Sequence, residues 1–147
     1  MQEETLNLDL KGLEDFCEDV SVKLKVGDII CLFGELGSGK TTVVRNLINS
    51  IYKRNKLEKP ISIKSPSFPI LLTYKVNSFE IYHYDLYRII KRSDLSEINI
   101  FEELNNSITI IEWPEIILDM LKDYNFYSIN LVIADEDTRI IKHNLIF

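Results

Sequence analysis

The octapeptide Gly34-Glu35-Leu36-Gly37-Ser38-Gly39-Lys40-Thr41 constrains the fold of this chain more than any other feature. It stands between a continuous apolar run, Ile29–Phe33, and a segment whose apolar residues recur at helical spacing. Glycines let the backbone curl so that successive N–H groups point inward and form an anion-binding nest. The helix that begins near Lys40 adds its partial positive charge at the same place. A buried strand, a glycine-rich turn and a helix are the context of a P-loop, which binds a nucleoside triphosphate.

The residues of the loop have separate expected roles in holding a triphosphate and its metal ion. Lys40 is expected to reach the β- and γ-phosphates, and Thr41 to place its hydroxyl on Mg²⁺. Thr42 is expected to meet the α-phosphate. The nucleotide-binding residues predicted from the motif are Glu35, Leu36, Gly37, Ser38, Gly39, Lys40, Thr41 and Thr42.

All five glycines of the chain lie at or before position 39. This excludes ABC transporter ATPases, whose signature after the P-loop contains glycine. It also excludes GTPases, whose switch needs a glycine that turns toward the γ-phosphate. Small metabolite kinases usually carry later glycines and an arginine-rich lid, so they are disfavoured. A small P-loop kinase nevertheless stays open as the alternative function.

A P-loop needs acidic residues elsewhere in the chain to complete Mg²⁺ coordination and to orient water. Two carboxylates stand at the carboxyl ends of predicted strands, where α/β folds place their ligands. Asp85 ends one of these strands, and Glu112 nearly ends the other. We therefore predict a metal site formed by Thr41, Asp85 and Glu112.

Hydrophobic spacing predicts an α/β fold of one domain, residues 1–147, with a P-loop NTPase-like central sheet flanked by helices and a C-terminal β-hairpin. One helix is predicted from Leu13 to Leu24 and another after the loop, with short ones at Ser93–Glu97 and Pro114–Lys122. The predicted strands are Thr5–Leu10, Ile29–Phe33, Ile70–Val76, Phe79–Asp85, Ser107–Trp113, Tyr127–Ile133 and Arg139–Ile146.

Composition narrows the expected compartment and partners. No apolar run approaches the roughly 20 residues that span a bilayer, and the acidic start lacks the features of a signal peptide. We therefore expect a cytoplasmic protein with no membrane partner. Cys17 and Cys31 lack a metal-ligand spacing and are predicted to be reduced core residues. The net charge of −6 disfavours a direct grip on nucleic acid, so a role there would go through a partner.

Four motifs follow one another along the chain: Gly34–Thr42, Ser65–Phe68, His83–Arg88 and Ile111–Glu115. In this order they resemble the TsaE (YjeE) family, small bacterial ATPases of tRNA threonylcarbamoyladenosine biosynthesis. The likeness runs from about Leu6 to Glu115. The family's Ser-Pro-Thr-Phe is Ser-Pro-Ser-Phe here, so the third position keeps its hydroxyl and loses a methyl group.

The resemblance implies a protein that binds ATP and Mg²⁺ and hydrolyses ATP slowly. It also implies the partners TsaB and TsaD, which transfer the threonylcarbamoyl group to an adenosine beside the anticodon, so tRNA would be reached only through that complex. By position, Asp85 takes the family's acidic Mg²⁺ role. The residues expected to act in hydrolysis are Lys40, Ser67, Glu112 and Trp113.

Overall fold

The computed structural model describes residues 3–60, 62–66 and 70–145. Within them, seven strands form one mixed sheet in the order β1-β7-β6-β2-β5-β4-β3. The strands are β1 (Glu4–Asp9), β2 (Ile29–Phe33), β3 (Leu71–Val76), β4 (Phe79–Asp85), β5 (Ser107–Glu112), β6 (Tyr127–Ile133) and β7 (Thr138–His143). The α-helices are α1 (Leu10–Lys23), α2 (Lys40–Arg54) and α3 (Leu118–Leu121), and 3₁₀ turns cover Arg92–Glu97, Leu104–Asn106 and Pro114–Ile117.

The centre of the sheet is parallel, and this brings the ends of its strands together. β2 pairs in parallel with β5 and with β6, and β5 pairs in parallel with β4. The flanking pairs are antiparallel. Every residue of β5 is buried, as expected of a central strand covered on both faces. The carboxyl ends of β2, β4 and β5 therefore share one edge of the sheet.

Helices pack on both faces of the sheet: the long helices α1 and α2 on one face, and the short helix α3 with the 3₁₀ turns on the other. Ile30 and Leu32 of β2 pack with α1 and α2 in one hydrophobic core. The alternate residues, Ile29 and Cys31, pack on the other face with α3 and the 3₁₀ turns. This division follows from the alternation of side chains along a strand. No helix in the described part of the chain is long and apolar enough to cross a membrane.

The structure confirms the predicted α/β class, with a sheet flanked by helices and an antiparallel C-terminal hairpin of β6 and β7. The bounds of β2, β4 and β6 are those that the spacing predicts. The last predicted strand, Arg139–Ile146, begins one residue earlier in the structure, at Thr138, and ends at His143. The predicted helix after Pro114 is a 3₁₀ turn followed by the single turn α3.

The junction between β1 and α1 corrects the sequence prediction. The spacing predicts Leu10 on the apolar face of a strand, but this residue begins α1 and is 73% exposed. Asp9 accounts for the difference, because its backbone is extended and its side chain accepts a hydrogen bond from the Gly12 N–H at 2.7 Å. This is an N-cap, which starts the helix three residues before the predicted Leu13.

Both cysteines are free and buried in the core, as predicted. Burial raises the pKa of Cys17 and of Cys31 to about 12. Because the thiolate is the reactive form of cysteine, both side chains are inert packing groups near neutral pH.

Gly34 connects β2 to the glycine-rich loop at a position with no room for a side chain. Its φ is +147°, in the region that favours glycine. A Cβ at this position would lie 2.5 Å from Ser38 Oγ and 2.7 Å from the backbone oxygen of Leu131 on β6. The loop therefore packs directly on β6 and is held close to the sheet.

We expect Gly34→Ala to lower the free energy of unfolding by about 2–5 kcal/mol, because backbone strain and overpacking act together. Gly27→Ala is the control, since Gly27 has φ +100° and no atom within 4 Å of its added Cβ. That variant should lose only the strain, about 1–2 kcal/mol. Urea unfolding of both variants measures the difference. Equal losses would show that the close approach to β6 costs nothing.

Candidate functional site

The glycine-rich loop between β2 and α2 presents backbone groups at the start of a 15-residue helix. Gly37 and Gly39 have φ of +79° and +109°, so the chain turns sharply at both. Gly39 is the N-cap residue of α2 and offers no side-chain cap to the first turn. The first N–H groups of a helix have no intrahelical acceptor, so this end of α2 can receive an anion.

Lys40 folds back over the loop. Its Nζ donates to the backbone oxygens of Gly34 at 2.6 Å and Glu35 at 2.9 Å. The same ammonium lies 4.0 Å from the centre of the Trp113 ring, a cation–π contact. Burial lowers the pKa of Lys40, an effect opposed by the negative charge of Glu112 and other nearby carboxylates. A positive charge is thus held at the loop by carbonyl groups and one aromatic face.

Glu112 joins the loop helix to the sheet. Its Oε1 accepts a hydrogen bond from Thr41 Oγ1 at 3.1 Å, and its Oε2 lies 2.5 Å from His83 Nε2. Glu112 is 2% exposed and His83 is fully buried. Both oxygens of the carboxylate therefore have partners, one from α2 and one from β4.

Asp85 ends β4 in register with Glu112 at the end of β5. Its Oδ1 accepts from the Tyr87 N–H at 3.0 Å, which fixes the turn that follows the strand. Its Oδ2 accepts from Ser65 Oγ at 2.5 Å. Ser65, from the segment between α2 and β3, is thereby tied to the end of β4.

These groups surround one cavity of about 460 Å³. The ring of Tyr87 lies 4.8 Å from that of Trp113, centre to centre, at the edge of the cavity. Trp113 adopts φ +57° immediately before Pro114, so β5 ends at Glu112 and not at Trp113 as the sequence predicts. The lining residues are Leu36, Gly37, Gly39, Lys40, Thr41, Thr42, Ser65, Asp85, Tyr87, Arg88, Glu112 and Trp113.

The structure brings most of the predicted site residues together at this cavity, including Lys40, Thr41, Asp85, Glu112 and Trp113. Leu36, which also lines the cavity, is 70% exposed, whereas Ser38 is fully buried and does not line it. Glu35 contributes its backbone oxygen to the Lys40 contact. Ser67 lies outside the described residues. Within those residues no cluster of three or more His, Cys, Asp or Glu side chains has the arrangement of a metal site.

Two contacts of the site are absent from the sequence prediction. His83 reaches Glu112 from β4, two residues before Asp85 on the same face of the strand. The spacing of His83 and Asp85 is the only signal for this contact in the sequence. No sequence pattern indicates the contact of Arg139 with the loop, because Arg139 lies about a hundred residues after the loop in the chain.

Arg139 of β7 braces the glycine-rich loop from the side of the C-terminal hairpin. Its Nε donates to the backbone oxygen of Ser38 at 2.9 Å. Its Nη1 donates to the backbone oxygens of Asp135 and Thr138 at 2.9 and 3.0 Å. One guanidinium therefore links the hairpin turn to the middle of the loop.

A family model described as "Threonylcarbamoyl adenosine biosynthesis protein TsaE" matches residues 8–141. This chain belongs to the TsaE family. It is similar to proteins named tRNA threonylcarbamoyladenosine biosynthesis protein TsaE. The relative in Rickettsia typhi is 37% identical over 97% of this chain and 96% of its own length. The relative in Rickettsia prowazekii is 36% identical over 93% of each chain. The more distant relative in Aquifex aeolicus is 32% identical over 67% of this chain and 66% of its own length.

A solved structure shares the fold. The crystal structure of Bacillus subtilis YdiB superposes with a TM-score of 0.68, covering 97% of this chain and 84% of YdiB. The two sequences are 20% identical, so the likeness concerns the fold alone.

We expect Arg139→Lys to loosen the glycine-rich loop, because a lysine ammonium cannot make the divided contacts of the guanidinium. Loss of the bond to Ser38, worth about 1 kcal/mol, should speed amide hydrogen exchange of residues 35–39 several-fold. Arg92→Lys is the control, since its contact with Asp119 at 3.3 Å joins two exposed side chains. Unchanged exchange at the loop in Arg139→Lys would remove Arg139 from this role.

Proposed function

We propose that this chain binds ATP and Mg²⁺ at the cavity between the glycine-rich loop and the ends of β4 and β5. The observation that carries the proposal is the 3.1 Å contact between Thr41 Oγ1 and Glu112 Oε1 at the N-terminus of α2. Oxygen ligands of this kind are those that Mg²⁺ takes, usually together with substrate phosphates and waters. The P-loop NTPase-like interpretation of the fold rests on the same arrangement.

The charge of Lys40 suits a triphosphate. Its ammonium now bonds to the backbone oxygens of Gly34 and Glu35. Negatively charged phosphate oxygens are stronger acceptors than neutral carbonyls, so a bound triphosphate would draw the ammonium toward itself. The uncapped amides at the start of α2 would meet the same phosphates.

A second cavity, of about 170 Å³, shares lining residues with the first, and we assign the nucleoside to it. Both cavities are lined by Gly37, Gly39 and Thr42. The second one is also lined by apolar side chains of the β1–α1 junction, among them Leu8 and Leu13. Since Thr42 is assigned to the α-phosphate, the base and sugar would extend past it into this space, where apolar groups can cover a base.

The acidic groups of the site supply what hydrolysis requires. Mg²⁺ held near Thr41, Asp85 and Glu112 would neutralise charge on the transferred phosphoryl group. Glu112 and Asp85 also offer acceptors that can orient an attacking water, which yields ADP and free phosphate. Trp113 lies against the ammonium of Lys40 and would stand close to a γ-phosphate that this ammonium bound. Ser67 stays a prediction for sensing that phosphate.

Membership of the TsaE family supports a role in tRNA threonylcarbamoyladenosine biosynthesis. We assign to this chain the slow, partner-dependent ATPase step that supports turnover of a transferase formed by TsaB and TsaD, with tRNA held by those partners. Leu36 and Tyr87 line the cavity and are 70% and 55% exposed, so both side chains are accessible to a partner protein.

We expect Lys40→Ala to abolish ATP-dependent support of the modification, because it removes the charge that meets the β- and γ-phosphates. The assay reconstitutes this chain with TsaB, TsaD, tRNA and an activated threonylcarbamoyl donor, and it counts modified tRNA per transferase over several turnovers. Lys53→Ala is the control, since Lys53 is exposed and pairs with Glu18 on the surface.

Full multi-turnover modification with Lys40→Ala would refute the proposed ATPase step. The same reaction, run with γ-labelled ATP, separates an ATPase from the small-kinase alternative. The label should appear as free phosphate. Its appearance on an added metabolite would favour the kinase.

Asp85→Asn should weaken binding of Mg·ATP about tenfold or more, the scale on which groups around a bound metal act. Binding of ATP in the presence of a chelator should stay within about twofold, because the lost charge acts through the metal. Calorimetric titration measures both affinities, with Asp119→Asn as the control at an exposed site. Equal affinity of Asp85→Asn and the parent chain for Mg·ATP would exclude Asp85 from the metal site.

A further inference from the structure

A buried histidine is attached to the candidate metal site through Glu112. His83 has no exposed surface, and its Nε2 lies 2.5 Å from Glu112 Oε2. The other oxygen of the same carboxylate accepts the Thr41 hydroxyl. His83 and Thr41 therefore contact different oxygens of one carboxylate.

The sheet register explains why His83 is in reach. His83 pairs with Ile110, and Asp85 pairs with Glu112, on the adjacent parallel strands β4 and β5. Side chains two residues apart project from the same face, so His83 and Asp85 both lie on the α2 side of the sheet. His83 lies two residues further from the end of β4 than Asp85, so its ring can reach Glu112 from within the sheet.

The ring nitrogen that does not face Glu112 indicates which nitrogen carries the proton. His83 Nδ1 is buried and has no hydrogen-bond partner in the described part of the chain. A proton on Nδ1 would be an unsatisfied buried donor, which is costly. A proton on Nε2 instead has the carboxylate oxygen of Glu112 as its acceptor, and the tautomer of a histidine follows from the hydrogen bond that its nitrogens make.

We propose that His83 is a positioning residue, which donates from Nε2 to Glu112 Oε2 and so keeps Glu112 Oε1 directed at Thr41. The proposal rests on the ATP and Mg²⁺ function proposed above for its effect on catalysis. The hydrogen bond itself is independent of that function. Partners that orient a metal-binding carboxylate typically change metal affinity or activity about 10- to 100-fold when they are removed.

Two conservative variants separate positioning from packing. The amide nitrogen of glutamine is as many bonds from Cα as Nε2 of histidine, so His83→Gln can still donate to Glu112. The amide of asparagine is one bond shorter, so His83→Asn leaves Glu112 Oε2 without its donor. Both replacements are uncharged and polar.

In steady-state hydrolysis at saturating ATP with TsaB and TsaD present, we expect His83→Asn to lower the rate constant about 10- to 100-fold and to raise the Mg²⁺ concentration needed for half-maximal rate. His83→Gln should stay within about threefold of the parent chain. Affinity for ATP without metal should be unchanged in both variants. Equal losses in the two variants, or no loss in His83→Asn, would overturn the proposal.

Nuclear magnetic resonance tests the hydrogen bond without nucleotide. The chain has two histidines, so long-range ¹H–¹⁵N spectra of the labelled protein can be assigned with the variant His143→Gln. We expect a proton on His83 Nε2 whose resonance moves when Glu112 is changed to Gln. An Nε2 without a proton would overturn the proposal even if a variant fails to fold. Failure of the parent chain to bind ATP, with the Nε2 proton present, would refute the proposed function and leave the Glu112 contact standing.

Discussion

Glu112 is the residue on which the geometry of the candidate site depends, because each of its carboxylate oxygens meets a different element. Thr41 at the start of α2 lies 3.1 Å from one oxygen, and His83 on β4 lies 2.5 Å from the other. Glu112 is 2% exposed, and charges interact much more strongly in such surroundings than in water. Glu112 therefore links β5 to both α2 and β4 at one point.

Much of this arrangement can be predicted from the sequence, because the decisive signals are local. An apolar run without alternation identifies β2 as a central strand, and the glycines after it identify the turn into α2. Parallel strands end at one edge of a sheet, so the positions of Asp85 and Glu112 at their strand ends predict that the two carboxylates lie close together. In the structure these two residues are direct neighbours in the register of β4 and β5.

The remaining features depend on contacts between distant parts of the chain. Arg139 meets the oxygen of Ser38 only because β7 returns beside β6, and no local pattern records that path. The alternation of β4 places His83 on the face of Asp85 but does not say which side chain lies opposite. At Leu10, an aspartate cap ends the strand earlier than the apolar pattern indicates, because a single side-chain hydrogen bond decides the boundary.

The sole tryptophan of the chain, Trp113, gives the most direct test of the proposed nucleotide site. Its ring centre lies 4.0 Å from the Lys40 ammonium, so movement of Lys40 toward bound phosphates changes the surroundings of the indole. Titration of the parent chain with ATP, with and without Mg²⁺, should give a saturable change in tryptophan fluorescence that occurs at lower ATP concentration when Mg²⁺ is present. The absence of any fluorescence change, together with no heat of binding in calorimetry under the same conditions, would contradict the assignment of this cavity to Mg·ATP.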